Sequence, residues 1–560
     1  MKTELEQIIQ DMVKQLFNQD VIVTLTRPDG QFGDYTTTIA LQLSKKIGQS
    51  PQAVANTIAA QLKEASSYTE EVGVAGPGFL NLKLTDQAMW QSMANKPAKT
   101  LLGKKVLVEY SDPNPFKPLH AGHLYTTLVG DTIARLVEHA GAETVRLNFG
   151  GDVGRHVGIS MWAIVKALGG EHPEKLHYIA PAERPAWLGQ RYVEGTAAFE
   201  DDPAAKAEIL ACNKRVYDIH ATQDHESPFA RIYWDCRQWS YDYFATLYEQ
   251  LQVTPFDRFI PESEVTPLGL ATVTEQLQNG VFTRSDGAVV YEGDEQKGLH
   301  TRVFINSEGL PTYETKDVGL SLTKWQDYHF DESIIITANE QEQYMQVVLA
   351  AIREFAPELA ERTRHLTHGV VKLQGGVKMS SRKGNVVTAL EILEAAWAAG
   401  QATGTNPTEE TVLSAVKYAF AKNRIGGDIV YDPSESIALE GNSGPYLQYA
   451  HARARSILGK AGAMSHESQV MSHELQPDER TLVRKLTEYA EAVERATAEL
   501  MPHHICTYLY ELAQQFNRFY EKNRVIGDDR EQARLSLVSH YADTLKNGLT
   551  LLGIHAPDRM

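Results

Sequence analysis

Cysteine is scarce: the 560-residue chain holds three, Cys212, Cys236 and Cys506, odd in number and far apart. Such a set builds neither a disulfide framework nor a zinc-ligand cluster, so no structural metal is expected. Long apolar runs are missing too, and no stretch approaches the roughly 18 apolar residues of a membrane span. The N-terminus, MKTELEQIIQDMVKQLF, breaks its apolar pattern with Glu4, Glu6 and Asp11, unlike a signal peptide. No membrane partner is expected, and the chain reads as cytoplasmic. Positive charge is in deficit, with 54 Lys and Arg against 72 Asp and Glu, a net charge of −18. That excludes a generic nucleic-acid coat and leaves room only for a local basic face. What is present is ordinary: 42% apolar and 22% charged residues exclude collagenous, low-complexity and largely disordered classes. The length predicts about three or four domains.

The acid is concentrated in the middle. Residues 1–100 sum to −1 and residues 440–560 to −2, so the centre carries −15. Such a pattern suits a polyanion gripped at the ends and a small cation bound centrally; on charge alone a solvated acidic surface is the plainer reading. The first hundred residues open on a helical pattern (Leu5, Ile8, Ile9, Met12, Val13, Leu16), followed by the alternating VIVTLTRP, a helix near 51–65 and the strand-like VAGPGFLNLKL. Asn95, Pro97 and Lys99 mark a linker. KKVLVEYS, then DPNPFKPLHAGHL, a helix to about His139 and ETVRLNFGG form a βαβ unit, the building block of a parallel sheet. Residues 160–255 read as a helical, aromatic insertion. Strands follow at SIIITA and HGVVKL, the second entering a Gly/Lys/Ser-rich loop, and from about 408 the periodicity is helical.

Two segments carry chemistry. In PNPFKPLHAGHL, Pro113, Pro115 and Pro118 hold the chain extended up to His120. Gly122 leaves room at the start of a helix, and His120 and His123 share its first turn. Free N–H groups, two imidazoles and the nearby Lys117 suit a phosphate; a proline-rich loop whose histidines cap a helix would look the same. In GGVKMSSRKGNVV, Gly375, Gly376 and Gly384 bracket Lys378, Ser380, Ser381, Arg382 and Lys383. This composition suits a loop closing on a polyphosphate, or a plain basic hairpin tip.

Together the two motifs resemble the class I aminoacyl-tRNA synthetases. VAGPGFLNLKL, VEYSDPNPFKPLHAGHL, PTYETKDVGL, KMSSRKGNVV, GNSGPYLQYAHARARSIL and LLGIHAPDRM narrow the resemblance to the arginyl-tRNA synthetases, in family order along nearly the whole chain. The resemblance implies a small α+β N-terminal domain over 1–97, a Rossmann-type parallel-sheet catalytic domain over 98–437 and an all-α anticodon-binding domain over 438–560. A cut after about residue 437 is then expected to leave a foldable core. The implied partners are tRNA(Arg), L-arginine and ATP with Mg2+, and a monomer is the family expectation. Arginine activation is implied to need bound tRNA.

The resemblance also assigns residues. Lys117, His120, His123, Lys378 and Lys383 would act on the phosphates, with Gly122, Met379, Ser380 and Ser381 around the ATP. The usual Lys-Met-Ser-Lys-Ser loop has a second lysine where this chain has Ser381. Lys117, matching a lysine that many members carry before the histidine motif, takes the compensating role, and Lys383 stays open. A guanidinium is planar and always charged, so its pocket needs carboxylates. Asp317 and its neighbour Tyr313, with Glu262, match the family's guanidinium contacts, and Glu109, Asn114 and Gln341 match positions around the rest of the substrate. In the C-terminal part Tyr446, Tyr449, Arg453 and Arg524 are candidates for stacking unpaired tRNA bases, although a tyrosine stripe also serves a core. The rivals are another class I-like adenylylating ligase and a catalytically silent tRNA-binding paralogue.

Overall fold

A near-continuous apolar run buried on both faces is the signature of a central parallel strand, and Val106, Leu107 and Val108 supply one, as do Ile334, Ile335 and Ile336. The computed structural model, which describes residues 1–374, 387–404, 406–461 and 474–560, places both runs at the heart of a five-stranded parallel sheet. Its spatial order is Thr363–His368, Glu332–Ala338, Lys105–Glu109, Glu143–Gly150, Arg258–Pro261. The chain therefore starts at the middle strand, builds outward on one side, then returns to build the other. The order reverses between Lys105–Glu109 and Glu332–Ala338. In open α/β sheets the crevice at the carboxyl ends beside such a reversal is where ligands bind.

The insertion between the second and third of these strands is helical: Arg155–Ala167, Arg184–Asp201, Pro203–Thr222 and Pro228–Gln250. A small antiparallel sheet, Thr283–Ser285, Ala288–Tyr291 and Arg302–Ile305, leads into helix Tyr313–Tyr328. That helix crosses helix Glu262–Gln278 at backbone distance. A Cβ on Gly319 would stand 2.2 Å from the Val265 carbonyl oxygen, and one on Gly269 would stand 2.2 Å from that of Thr315. The fold class read from the sequence holds, with a small α+β N-terminal part and a helical C-terminal part around the parallel sheet.

Two local expectations change. VIVTLTRP is extended, with Val23 and Leu25 buried, yet it forms only a single bridge, Thr26 to Thr36. The Phe79–Leu84 strand is already paired on both sides, by Tyr35–Thr37 and Thr69–Ala75. HGVVKL is not one strand. His368 ends the main sheet, and Val371–Leu373 starts a separate parallel pair with Ile429–Tyr431. The break falls at Gly369, where a Cβ would meet the Asp428 nitrogen at 2.4 Å.

The first and last parts of the chain share one apolar core, in which Leu5, Ile9, Leu43 and Ile58 join Leu482, Leu509, Phe516 and Leu545. Ion pairs ring this contact. Arg27 binds Glu491 at 2.8 Å, and Arg480 bridges Asp34 at 2.7 Å and Asp86 at 2.6 Å. Among the described residues no helix is long and apolar enough to cross a membrane.

Candidate active site

The loop after the middle strand is wound tightly. Ser111, Asp112 and Phe116 all take positive φ, at 77°, 47° and 70°. Three such non-glycine residues within six positions store strain, which concentrates at functional sites. The loop ends at helix Ala121–His139, and here the histidines show how they are used. His120 is the N-cap: its Nδ1 accepts the N–H groups of Gly122 at 3.1 Å and His123 at 3.3 Å. His123 Nδ1 accepts the His120 N–H at 3.4 Å, and the two rings stack with centroids 3.7 Å apart. Burial, with the nearby Lys117 charge, lowers His120 to about 3, and burial with the His120 charge holds His123 well below the usual histidine range. Both are thus neutral at physiological pH. With each Nδ1 used as an acceptor, the proton sits on Nε2. The helix-capping reading and the phosphate reading are therefore compatible, because capping turns both Nε2–H donors outward.

Lys117 has no carboxylate partner among the described residues; its ammonium lies 5.3 Å from the Tyr192 ring centroid. Burial lowers it to about 8. The second motif meets the first through the backbone. Ala121 N–H donates to Val387 O and Ala389 N–H to Leu119 O, both at 2.9 Å, around a bridge between His120 and Thr388. Gln374 N–H donates to Tyr431 O at 3.0 Å. The two flanks of the basic segment are thereby fixed, one of them directly against the histidine motif. Lys378, Met379, Ser380, Ser381 and Lys383 themselves lie outside the described residues.

The acidic candidates gather at the same carboxyl edge. Glu109 ends the middle strand and is buried against Lys324, Nζ to Oε2 2.7 Å. Glu262 opens its helix and receives Lys316 Nζ at 2.5 Å. Asn114 meets Glu262 across Gly151, where a Cβ would stand 2.2 Å from Asn114 Oδ1 and 3.2 Å from Glu262 Oε1. Tyr313 keeps its ring half exposed, at 52%, with its hydroxyl 3.4 Å from His156 Nδ1. Gln341 is exposed on the short turn following Glu332–Ala338. Asp317 differs from all of these. It is buried, yet among the described residues its carboxylate has no hydrogen bond and no ion pair. Burial, reinforced by the Glu109 and Glu262 charges, pushes it well above the ordinary carboxyl range. Buried carboxylates are ordinarily paired, so one without a partner is suited to a cation.

Sequence reasoning passed over Lys316, Lys324 and His156. Lys316 adjoins Asp317, and Lys324 lies two helical turns beyond it, a spacing that puts both charges on one face. Among the described residues no group of three or more His, Cys, Asp or Glu side chains is placed to hold a metal ion.

The C-terminal candidates divide. Tyr446, Tyr449 and Arg453 share helix Gly444–Lys460. Tyr446 OH accepts from Asn517 at 3.0 Å and its ring meets Tyr510, whereas Tyr449 is 46% exposed. The Arg453 guanidinium lies 4.8 Å from the Tyr520 ring centroid. Arg524 stands apart on the turn after helix His503–Lys522, its Nε donating to Ile526 O at 2.8 Å.

Comparison with known proteins decides the family. Residues 86–431 match the class I tRNA synthetase (R) catalytic domain, residues 1–84 the arginyl-tRNA synthetase N-terminal domain and residues 447–560 the DALR anticodon-binding domain. The chain belongs to the class I arginyl-tRNA synthetases. An arginine–tRNA ligase of Porphyromonas gingivalis is 29% identical, with 100% of this chain and 99% of that protein covered. One of Bdellovibrio bacteriovorus is 30% identical, with 92% and 91% covered. Among solved structures, the arginyl-tRNA synthetase of Thermus thermophilus superposes with a TM-score of 0.80 at 27% identity, each chain fully covered. Members of this family are enzymes that use ATP to charge tRNA with arginine, and the chain is a ligase of that kind.

Proposed function

We propose that the crevice beside the middle strand is where L-arginine and Mg-ATP react to give arginyl-adenylate, with the arginyl group then passing to the 3′ terminal ribose of tRNA(Arg). The single observation that carries this reading is the unpaired, buried Asp317 carboxylate standing at the same sheet edge as Lys117 and the histidine pair. The arginine carboxylate attacks the α-phosphate and pyrophosphate leaves. The tRNA hydroxyl then attacks the acyl carbon and AMP leaves. No protein nucleophile is required, so positioning and charge stabilisation carry the catalysis. Asp317 receives the guanidinium, with Tyr313 beside it. Glu262, Glu109, Asn114 and Gln341 surround the rest of the amino acid. Lys316 and Lys324 hold two of these carboxylates in place, and Asp317 is the one of the three with no lysine partner among the described residues. The histidine pair supplies neutral N–H donors to the phosphates, Gly122 leaves room for the nucleotide, and Mg2+ arrives with ATP as part of the substrate. Lys378, Met379, Ser380, Ser381 and Lys383 approach from the basic segment whose flank abuts His120. Tyr446, Tyr449, Arg453 and Arg524 face tRNA, the enzyme works as a cytoplasmic monomer, and the functional units are 1–97, 98–437 and 438–560.

Arginine-dependent ATP–pyrophosphate exchange, run with and without tRNA, tests the reading. A silent paralogue gives none, and a different adenylylating ligase prefers another acid. Within that assay Lys117→Ala is expected to slow adenylation at least about tenfold, roughly 1.4 kcal/mol of transition-state stabilisation. The arginine KM should hardly change, because this charge acts on the departing pyrophosphate. A native rate in Lys117→Ala together with collapse in Lys383→Ala would assign the compensating role to the loop instead.

A pH dependence follows from Asp317. Its carboxyl group holds its proton to unusually high pH in the empty site, because burial and two neighbouring acids disfavour the charge. A bound guanidinium favours the ionised form. Arginine binding should therefore expel a proton, and affinity should rise as pH rises through the raised pKa, then level off. Calorimetry of arginine binding in buffers of different ionisation enthalpy should register that release. In Asp317→Asn the release should vanish; its persistence there would place the titrating group elsewhere.

A further inference from the structure

The first turn of helix Arg155–Ala167 carries a buried imidazole, His156, with both ring nitrogens engaged. Its Nε2 lies 2.6 Å from the Gly151 carbonyl oxygen. That oxygen can only accept, so the ring proton sits on Nε2. Burial, with the Lys117, Lys316 and Arg155 charges, outweighs the Gly151 bond and lowers the ring to about 3, so it is neutral and holds no second proton. Nδ1 is therefore a bare lone pair. The atom facing it, at 3.4 Å, is the Tyr313 hydroxyl, which must donate its single proton there. Among the described residues His156 is the only hydrogen-bond partner of that hydroxyl. Toward the crevice the Tyr313 oxygen then offers lone pairs alone.

The ring is anchored in the wall of the same site. Gly151, whose carbonyl holds Nε2, is where Asn114 and Glu262 converge, 2.2 and 3.2 Å from the position of an added Cβ. On the other side Val153 O accepts Lys316 Nζ at 3.3 Å, and a Cβ on Gly154 would stand 3.2 Å from that ammonium and 3.7 Å from His156 Nδ1. The short segment 151–156 thus ties the Tyr313 hydroxyl to the backbone that carries the acidic wall. Such a tie matters to a guanidinium, which has five donors and no acceptor. A phenol free to rotate could turn its own proton toward those donors; one held by Nδ1 cannot. We propose that His156 is a positioning residue for arginine selection: it holds the Tyr313 hydroxyl as a pure acceptor, so that the phenol oxygen takes a guanidinium N–H beside Asp317. This rests on the reading that places Tyr313 beside the guanidinium. The contact lies away from the reacting carboxylate, acts alike in ground and transition states, and so belongs to KM rather than kcat.

A double-mutant cycle in the full-length enzyme tests it by arginine-dependent pyrophosphate exchange with tRNA present. Tyr313→Phe should raise the arginine KM about tenfold and His156→Leu about fivefold, each with kcat and the ATP KM within about twofold. The double variant should be no worse than Tyr313→Phe alone, because the imidazole acts only through the hydroxyl. His156→Gln, which carries both a donor and an acceptor, should recover most of the affinity. A rise of about fiftyfold in the double variant, a native KM in His156→Leu, or a Gln variant no better than Leu would overturn the proposal. Should His156→Leu fail to fold, nitrogen NMR of the histidine-labelled native enzyme decides, with the His156 signal assigned by its loss in His156→Gln. A neutral ring protonated on Nε2 is expected at neutral pH; a proton on Nδ1, or a charged ring, would overturn the proposal. Tyr313→Phe separates the two levels. If its arginine KM is native, the reading that puts Tyr313 beside the guanidinium fails; if it is raised while His156→Leu is native, only the role of His156 fails.

Discussion

Asp317→Asn is expected to cut kcat/KM for arginine in adenylation by several hundredfold or more, while the penalty against citrulline shrinks. The argument begins with charge. Three carboxylates, Glu109, Glu262 and Asp317, stand within one acidic cluster, and two of them already carry a lysine at 2.7 and 2.5 Å. Of these three, Asp317 alone has no lysine partner among the described residues. Charge-assisted hydrogen bonds are about twice as strong as neutral ones, and removing one side of a buried ion pair typically costs about 3–5 kcal/mol. Lysine, with a compact ammonium, cannot fill a planar two-donor site. Citrulline has nearly the right shape and no charge, so it brings no cation to draw the proton from the native Asp317 carboxyl group. Asparagine removes that mismatch. The ratio of kcat/KM for arginine over citrulline, in native enzyme and in Asp317→Asn, is the decisive measurement. An unchanged ratio would take Asp317 out of the pocket and leave Glu262 as the remaining candidate.

The parts of this site legible in the sequence were those written locally. The prolines before His120, the glycine after it and the valine and isoleucine runs each specify their own backbone, and the parallel sheet follows from them. The HxGH turn could be read as a cap or as a phosphate site because a single geometry is compatible with both, and no spacing rule separates them. Pairings at a distance were not legible. Lys324 reaches Glu109 across 215 positions and Lys316 reaches Glu262 across 54. Neither partner can be chosen from composition, since every acid on the chain is an equal candidate until the helices cross. The end of the main sheet at His368 was hidden for a different reason: HGVVKL reads as one strand, and only the close approach of Gly427 and Asp428 to Gly369 divides it.

The same limit applies to autonomy. The resemblance implied a C-terminal module from residue 438 that could be cut away to leave a foldable core. Leu136 and Tyr418, which belong to the catalytic part, lie instead in the core shared by the first and last parts of the chain. Lys417, also buried, donates to Gly553 O at 2.7 Å near the C-terminus. A cut after residue 437 would expose this apolar face and strip the N-terminal helices of their packing partner. Periodicity tells which face of a helix is apolar, not which neighbour covers it.

The largest stability effect is expected at the Lys324–Glu109 pair. Lys324 is among the largest fully buried side chains, and its ammonium meets Glu109 Oε2 at 2.7 Å with both groups almost completely withdrawn from water. Coulomb attraction offsets the desolvation of two charges only while both are present. Lys324→Ala leaves Glu109 charged and alone, and also leaves space where a long stem had packed. A loss of about 3–5 kcal/mol follows from the unpaired charge. Lys324→Met with Glu109→Gln removes both charges and keeps most of the volume, so it should recover most of the stability. On the proposed reading it should not recover arginine activation, because Glu109, at the end of its strand, is one of the side chains placed around the amino acid. Urea denaturation followed by tryptophan fluorescence measures the first effect, and pyrophosphate exchange the second. A Lys324→Ala midpoint equal to the native one would mean that water reaches Glu109 and that the pair is not the buried clamp its geometry describes.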